Sequence, residues 1–401
     1  MSNDVEREFS LDEAERRIDR FVHAEGLSWR LRMHGERHGV CLARLTRGQD
    51  VIHRGAGKGK LRSALVGGKY EAVEHWLTER WGGRHACVVP VDKAAEQATT
   101  DHLPMALLRE QPGARIACRT YTRLGDGATT LQPLSLALPG YERQRLAGDT
   151  FDYRHLRRYA SNSGTAMGGN VAEATLHALN ECIERDALSL FLLTHFYYRS
   201  GSPLRRVDLS QVPDDLGVLI DDIRGIIGAE LVLLNISTGF GVTTCLAFAH
   251  ATYDGPHVYG AGASLSPIHA AFRALSELLQ VHLAVSNGWC GDDLALAQAS
   301  LRGFPALYRA LMFSVNALQG SSMESERLDG DVRRPLDHQI ETIVEALAGR
   351  GFHAAACVLG ETDEGLALVN VTVPGFERFF VVGSGNVVLP GGRGKLAAQT
   401  A

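Results

Sequence analysis

The sequence has no hydrophobic run long enough to cross a membrane, since no stretch approaches about 18 consecutive apolar residues. Its first residues, MSNDVEREFSLDEAERRIDRF, are charged where a secretory signal peptide needs an apolar segment. The seven cysteines are widely spaced and form no C-x-x-C pair, which argues against a disulfide framework or a structural zinc site. These absences predict a cytoplasmic protein with no membrane partner.

An excess of basic residues is also missing. The chain has 41 lysines and arginines against 46 aspartates and glutamates, a formal net charge of −5, which gives no sign of a nucleic-acid partner. There is no Walker A loop, no G-x-S-x-G nucleophile elbow and no H-E-x-x-H zinc motif, and neither GAGKGK nor GAGAS meets G-x-G-x-x-G. These absences disfavour P-loop nucleotide-binding proteins, hydrolases of the elbow type and zinc peptidases.

The sequence contains three copies of the same predicted order of secondary-structure elements. In each copy a strand is predicted ahead of a glycine-rich turn or loop, and a helix follows. The glycine-rich segments are GAGKGK (55–60), SNSGTAMGGN (161–170) and YGAGASLSP (259–267). A glycine-rich loop ahead of a helix leaves backbone N–H groups free to bind anions. We therefore expect an α+β fold of three diverged strand–loop–helix units.

Other segments complete the predicted organisation. Residues 10–26 form an amphipathic helix with a Ser10/Glu13 capping box, and residues 40–45 form a strand. A helix and the strand LVLLNIS are expected between residues 207 and 237, and a helix with three strands, the last of them FFVVG, after residue 338. GDDLALAQ is interpreted as a surface loop. The predicted parts are an N-terminal helix and strand region (1–54), a main domain (55–390) and a flexible tail (391–401).

The three predicted helices carry polar pairs three residues apart, which project from one helix face: Glu71 and Glu74, Glu181 and Glu184, and Glu277 and Gln280. A single Glu-x-x-Glu pair usually lies on a solvated surface. The helix of Glu181 is instead apolar nearly all around, which predicts burial. Its carboxylates then need partners, either Mg²⁺ with phosphates or buried bases such as Arg185 and Arg273. Both alternatives remain open, and Lys58 is either a phosphate contact or a surface lysine.

Three motifs resemble those of the YcaO family. Residues 161–187, SNSGTAMGGN followed by EATLHALNECIERDA, are similar to the family's central signature. YEAVEHW resembles its upstream helix and RALSELLQ its downstream motif, so that the resemblance spans residues 55–285 directly. Two departures affect the first motif, where His75 stands in place of the usual arginine and Gly67 in place of a frequent serine.

The resemblance implies a YcaO-like fold around a nucleotide cleft, with ATP and Mg²⁺ as cofactors. The implied metal ligands, direct or through water, are Glu71, Glu74, Glu173, Glu181, Glu184 and Glu277. The implied cofactor-binding residues are Lys58, Ser163, Asn170, Arg185, Arg273 and Gln280. Of these, Arg185 and Gln280 are also the implied catalytic residues.

The resemblance further implies that the protein phosphorylates a backbone amide oxygen of a ribosomally made precursor peptide. A neighbouring Cys, Ser or Thr side chain would then give an azoline ring, and an external sulfide a thioamide. The tail carries Pro390 alone where many azoline-forming members end in Pro-x-Pro-x-Pro, which favours the thioamide. About fifty residues precede the first motif, so we expect a separate ThiF-like or TfuA-like partner, and a homodimer is possible. The alternatives are a non-catalytic scaffold subunit and an unrelated ATP-dependent ligase or kinase.

Overall fold

The structure is a computed structural model, and it describes residues 4–96, 103–250, 258–289, 292–318, 321–328, 330 and 334–397. The strands in this part of the chain are β1 (Ser28–Gly35), β2 (His38–Arg47), β3 (Asp50–Lys60), β4 (Ala86–Pro90), β5 (Arg115–Arg123), β6 (Thr129–Pro133), β7 (Thr165–Gly168), β8 (Leu204–Val207), β9 (Leu231–Asn235), β10 (Thr243–Ala249), β11 (Tyr259–Ser264), β12 (Met323–Glu326), β13 (Ala355–Glu361) and β14 (Ala367–Thr372).

The α-helices are α1 (Leu11–Ala24), α2 (Leu61–Trp81), α3 (Val91–Glu96), α4 (Leu103–Ala106), α5 (Leu134–Ala137), α6 (Val171–Leu192), α7 (Asp214–Ile227), α8 (Pro267–Ser286), α9 (Asp293–Leu301), α10 (Pro305–Met312), α11 (Leu336–Ala348) and α12 (Gly392–Ala397). Short 3-10 helices include Asp4–Glu6 and Phe379–Ser384, and a π-helical turn, Leu193–Tyr197, continues α6. Within the described residues, no helix is both long and apolar enough to cross a bilayer.

The strands form three sheets, and the chain has the expected α+β character. One sheet has the order β1-β2-β3, a second the order β11-β10-β9-β8-β12, and a third the order β4-β5-β13-β14-β7 with β6 paired to β5. The helices α2, α6 and α8 each follow a strand of a different sheet, namely β3, β7 and β11. The predicted boundary between residues 54 and 55 lies inside β3.

Helix α6 is the centre of the molecule. It packs against β7 and β14 of the third sheet and against β10 and β11 of the second. Leu176, Leu179 and Ile183 are fully buried in the core that these elements share, with side chains from both sheets. Since the helix has a sheet on either side, its sequence must be apolar nearly all around. The predicted burial of this helix is therefore confirmed.

The glycine-rich segments differ from the prediction. GAGKGK is the end of β3, paired in register with β2, and most of YGAGASLSP is β11. A Cβ added to Gly55 or Gly57 would overlap the backbone of α2, and one added to Gly260 or Gly262 would overlap the backbone of α8. These glycines allow a strand to lie directly against the helix that follows it. The prediction of open anion-binding turns at these two segments was wrong.

Three further segments also differ. FFVVG is a 3-10 helix and not a strand. GDDLALAQ forms most of α9 from Asp293 onward, although Gly291 and the preceding Cys290 lie outside the described residues. Part of the tail predicted to be flexible is helix α12, where Arg393 makes an ion pair of 2.8 Å with the fully buried Asp186 of α6. A buried carboxylate requires such a partner, which accounts for the docking of this segment.

Candidate functional site

Five of the predicted glutamates converge where α2, α6 and α8 meet. Glu71 and Glu74 come from α2, Glu181 and Glu184 from α6, and Glu277 from α8. Electrostatic interactions join them in one group, since Glu71 is coupled to Glu277, Glu74 to Glu181, and Glu184 to Glu277. The structure thus brings the acidic residues of all three motifs to a single place.

Backbone amides hold three of these carboxylates in position. The N–H of Ala56 in β3 donates to Glu71 Oε2 at 3.1 Å, the N–H of Met167 in β7 donates to Glu74 Oε2 at 2.8 Å, and the N–H of Gly164 donates to Glu181 Oε2 at 3.2 Å. The donors lie in two of the segments predicted to cradle phosphate. Their N–H groups instead orient the carboxylates, as an outer shell orients metal ligands.

Two cationic side chains lie among the five carboxylates. Lys58 of β3 forms an ion pair with Glu277. Arg185 of α6 has its Nε 3.6 Å from Glu181 Oε1 and 4.0 Å from Glu184 Oε1, and its guanidinium lies over the ring of Phe380. Arg273 also acts on Glu184 and Glu277, so three cations face five partly or fully buried carboxylates, which leaves an excess of negative charge. Such an excess is unfavourable unless a further cation is bound or the carboxyl groups take up protons.

The pKa values of the carboxyl groups reflect this excess. Burial raises the pKa of Glu74 well above its ordinary value, and the neighbouring Glu71 and Glu181 raise it further. Burial likewise raises the pKa of Glu184 and that of Glu71. Burial would also raise the pKa of Glu277, but Lys58 and Arg185 more than offset it, so this pKa lies below its ordinary value.

The chemistry of these side chains fits Mg²⁺ with a nucleotide. Within the described residues, no three carboxylate, histidine or cysteine groups are close enough together to hold a metal ion by themselves. Mg²⁺ is commonly bound by one or two carboxylates, with substrate phosphates and water completing its shell. Among the described residues, Glu74 Oε1 has no hydrogen-bond donor while its Oε2 is held by Met167. Side chains of this kind suit an ion that arrives with phosphate.

The remaining predicted site residues occupy different positions around this group. Gln280 donates from Nε2 to the carbonyl oxygen of Ala56, on the strand whose amide holds Glu71. Asn170 caps α6 by accepting from the Glu173 N–H at 2.8 Å, so its side chain has a structural partner. Ser163 lines a cleft beside Arg185. Glu173 lies apart from the five glutamates and is paired with Arg7.

Arg273 connects the site to a buried polar group that sequence reasoning missed. Its Nη1 lies 3.1 Å from His177 Nδ1 and 3.5 Å from Glu6 Oε2, and its charge also acts on Glu184. Glu6 is 7% exposed and accepts hydrogen bonds from Asn180 and Ser264. The only sequence feature that could have pointed to Glu6 was the run of charged residues before α1. Such a run does not show which of its residues becomes buried in the folded protein.

A cleft open to solvent lies beside Arg185. Its walls include Ser163, Arg185, Glu377 and Phe380, together with Gln132 of β6. Gln132 is 4% exposed, and its Nε2 has no hydrogen-bond partner among the described residues. A buried amide without a partner costs about 1–3 kcal/mol. An unpaired amide donor thus lies at the wall of the cleft.

Comparison with known proteins identifies the family of this chain and similar structures. The model of the family described as YcaO cyclodehydratase, ATP- and Mg²⁺-binding, matches residues 56–377. An uncharacterized protein of Methanothermobacter thermautotrophicus is 28% identical over 226 residues, which are 55% of this chain and 57% of that protein. An uncharacterized protein in the tfuA 3′ region of Rhizobium leguminosarum bv. trifolii is 30% identical over 199 residues, 47% of this chain and 43% of that protein. The chain spans about half the length of these two relatives.

The structure of YcaO from Methanopyrus kandleri, bound with AMPPCP and Mg²⁺, is similar with a TM-score of 0.68. The similarity covers 97% of this chain and 98% of that one at 22% sequence identity, which shows a shared fold. The family model covers most of the chain, including the helices α2, α6 and α8 that meet at the site. This chain belongs to the YcaO cyclodehydratase family.

Proposed function

We propose that this protein uses ATP and Mg²⁺ to activate a backbone amide of a ribosomally made precursor peptide. The observation that carries the proposal is the convergence of five glutamates from three helices around Lys58 and Arg185. That group needs additional positive charge and offers the hard oxygen ligands that Mg²⁺ prefers. The description of the family as ATP- and Mg²⁺-binding, and the Methanopyrus structure, which holds AMPPCP and Mg²⁺, support the same cofactors.

In this proposal the glutamates hold the metal–nucleotide complex, and bound Mg²⁺ neutralises charge on the triphosphate. Lys58 and Arg185 then lie where charge develops on the transferring phosphoryl group, which is the main requirement of phosphoryl transfer. Gln280 positions β3, because it binds the carbonyl of the residue whose amide holds Glu71. Ser163, Asn170, Arg273 and Glu173 remain candidates for nucleotide or metal contacts.

The cleft beside Arg185 suits the peptide, since Arg185 lies between it and the glutamates. Gln132 supplies a donor for a carbonyl of the bound chain. The nucleophile adds to the amide carbon and the amide oxygen takes the γ-phosphoryl group. The C–O bond then breaks and the oxygen leaves in phosphate. With hydrosulfide as the nucleophile, amide, hydrosulfide and ATP give thioamide, ADP and phosphate.

We favour the thioamide over the azoline product. The reason is the genetic setting of one relative. One relative is encoded in the tfuA 3′ region, which supports a TfuA-like partner for this chain. The family description as a cyclodehydratase keeps the azoline as the second product to test.

Titration calorimetry tests the use of ATP with Mg²⁺. ATP should bind weakly when a chelator removes Mg²⁺, because the glutamates then face the triphosphate uncompensated. Equal affinity with and without Mg²⁺ would contradict the proposal. Co-expression with a precursor peptide, followed by mass spectrometry, identifies the product, since an azoline loses one water and a thioamide exchanges oxygen for sulfur.

A further inference from the structure

Four arginines lie together on one side of the three-stranded sheet. Arg30 of β1 is directly opposite Arg44 of β2, and Arg44 is directly opposite Arg54 of β3. Arg32 is two residues from Arg30 and therefore points to the same side of the sheet. We call Arg30, Arg32, Arg44 and Arg54 the arginine face. All four residues are exposed.

The arginine face is not neutralised by nearby acidic groups. Arg30 donates to the neutral amide of Gln49. Within the part of the chain that the structure describes, none of the four guanidinium groups has a carboxylate within ion-pair distance, whereas Arg37 in the turn between β1 and β2 is paired with Asp222. Like charges on adjacent strands repel one another. Such a concentration is unusual in a chain with a net charge of −5 and indicates an acidic partner.

The neighbouring strand edge indicates what kind of partner fits. β1 is the last strand of its sheet and pairs only with β2 in the described chain, so its outer edge presents unpaired backbone donors and acceptors. On the side away from the arginines, Leu31 is 41% exposed and Met33 is 39% exposed. A peptide strand added to this edge would place alternate side chains beside arginines and beside apolar residues.

The arginine face lies on the same side of the sheet as Lys58 of the proposed catalytic site. Lys58, which pairs with Glu277, lies on the same side of β3 as Arg54 and about 13 Å further along the strand. Beyond Arg32 this side of the sheet is covered, since His34 packs on Trp289 with ring centroids 4.6 Å apart. The arginine face is thus bounded by Trp289 at one end and lies on the same side of the sheet as Lys58.

We infer that the edge of β1 and the arginine face bind an extended segment of the precursor peptide in which acidic and apolar side chains alternate. The inference rests on the proposed function for the identity of the peptide. The segment lies outside the modified amide and tethers the substrate, so that its effective concentration at the site rises. A second copy of the chain fits this edge poorly, because antiparallel pairing of two β1 strands would bring their arginines together.

Binding of a labelled peptide with alternating Glu and Val to the full chain tests the inference. A peptide of the same composition with its glutamates in one block is the matched ligand control. The alternating peptide should bind more tightly, and added salt should weaken it. The variant R30Q/R32Q/R44Q/R54Q should lose about tenfold or more in affinity. R143Q/R158Q/R302Q/R334Q, which removes four other exposed arginines, should keep it.

Reversing the charge of two arginines should reverse the preference for peptide charge, which would not happen if these arginines only stabilised the fold. R30E/R32E should reject the Glu–Val peptide and bind a Lys–Val peptide instead. The inference would be overturned if the blocked and alternating peptides bound with equal affinity, or if both four-arginine variants lost the same affinity for the alternating peptide. It would also be overturned if poly(U) RNA bound more tightly than the peptide, or if wild type formed a dimer that R30E/R32E did not. ATP affinity measured on the same variants separates the two proposals. If an arginine-face variant loses peptide binding but keeps normal Mg²⁺-dependent ATP binding, only this surface has been affected. If the wild-type chain shows no Mg²⁺-dependent ATP binding, only the proposed function is contradicted.

Discussion

Gln132 is a buried side chain whose amide donor has no partner in the described chain, at the wall of the cleft beside Arg185. Gln132→Met removes the unpaired donor at nearly constant volume. We expect the free energy of unfolding to stay the same or rise by about 1 kcal/mol, while KM for the peptide rises because a hydrogen bond to it is lost. Chemical denaturation and steady-state kinetics measure the two effects.

Gln339 is the control for this substitution. It is also fully buried, but its Nε2 donates to the carbonyl oxygens of Val5 and Arg334. Gln339→Met should lower the free energy of unfolding by about 1–3 kcal/mol and leave KM unchanged. If Gln132→Met is destabilised to the same extent as Gln339→Met, its amide has a structural partner and the assignment to the peptide is wrong.

Glu181 and Glu184 distinguish a metal site from a structural ion pair. In Glu181→Gln/Glu184→Gln the side chains keep their shape and lose both charges beside Arg185. If they hold Mg²⁺, peptide-dependent phosphate release should fall by about 10²-fold or more, while the metal-free fold keeps or gains stability because like charges are removed.

The competing expectation is that these carboxylates chiefly neutralise Arg185. The variant would then lose about 3–5 kcal/mol of stability, because a buried charge is left unpaired, and would turn over in proportion to its folded fraction. Melting temperature and phosphate release on one preparation separate the two outcomes. Glu341→Gln/Glu345→Gln on the exposed side of α11 is the control for charge removal and should change neither.

At the scale of single elements, β3 and α2 approach each other so closely that only glycine fits. In Gly57→Ala the new methyl group would overlap the carbonyl oxygen of Ala64 and the amide of Gly68. We expect a loss of about 1–3 kcal/mol in stability, because backbone must move to relieve the overlap. The shift would also displace the neighbouring Ala56 amide from Glu71, so the affinity for ATP with Mg²⁺ should fall.

Gly67 lies on α2 itself and provides the comparison. The nearest atom to an added methyl group there is the Gly57 Cα at 3.6 Å, an ordinary contact. Gly67→Ala should therefore stabilise the helix by about 0.5–1 kcal/mol and leave ATP affinity unchanged. Differential scanning fluorimetry and calorimetry test both variants. A Gly57→Ala protein as stable as wild type would show that the strand and helix have room to separate.

The elements that could be predicted from the sequence are those with a regular apolar period. α1 begins with Ser10 as N-cap and buries Ile18, Phe21 and Val22, as expected. The strands β3 and β11 were missed because their alternate glycines were interpreted as turns. A spacing of two between Gly55 and Gly57 is itself the period of a strand, and that signal could have identified them. FFVVG was missed because a short buried apolar run has no period that distinguishes a strand from a 3-10 helix.

For the whole molecule, the buried carboxyl groups predict how stability depends on pH. The pKa values of Glu74 and Glu184 are raised in the folded state, so the folded protein binds protons more tightly than the unfolded chain. Their contribution is therefore fully present in acid and is lost as the pH rises through the raised pKa values. Without Mg²⁺, the melting temperature of wild type should fall more steeply from pH about 5 to about 8 than that of Glu74→Gln/Glu184→Gln.

Addition of ATP with Mg²⁺ should reverse this trend, because the bound ion favours the ionised carboxylates. A melting temperature that depends on pH in the same way in wild type and variant would show that these groups ionise without penalty. Glu341→Gln/Glu345→Gln again serves as the control, since exposed carboxylates should leave the pH dependence of wild type unchanged.

The site as a whole was predictable only in part. Spacing within each helix identified the glutamate pairs, and the apolar surroundings of Glu181 indicated burial. The partners of these residues come from distant parts of the chain, such as Gly164 for Glu181 and Met167 for Glu74. Glu6 reaches Arg273 from before α1. Contacts of this range follow from the packing of the sheets, which local patterns do not encode.

The amide groups that hold Glu71, Glu74 and Glu181 belong to the main chain, so each donor is present whichever residue other than proline stands at that position. Ala56 and Met167 could drift to other residues that fit the space, and their two donors would persist. Gly164 cannot, because its φ is +82° and an added side chain would overlap the carbonyl oxygen of Val371. Only proline deletes such a donor. Sequences that descend from this one can therefore vary at positions 56 and 167 while retaining the geometry of the carboxylates, but should keep glycine at position 164. Loss of the site during evolution should be visible at the glutamates first.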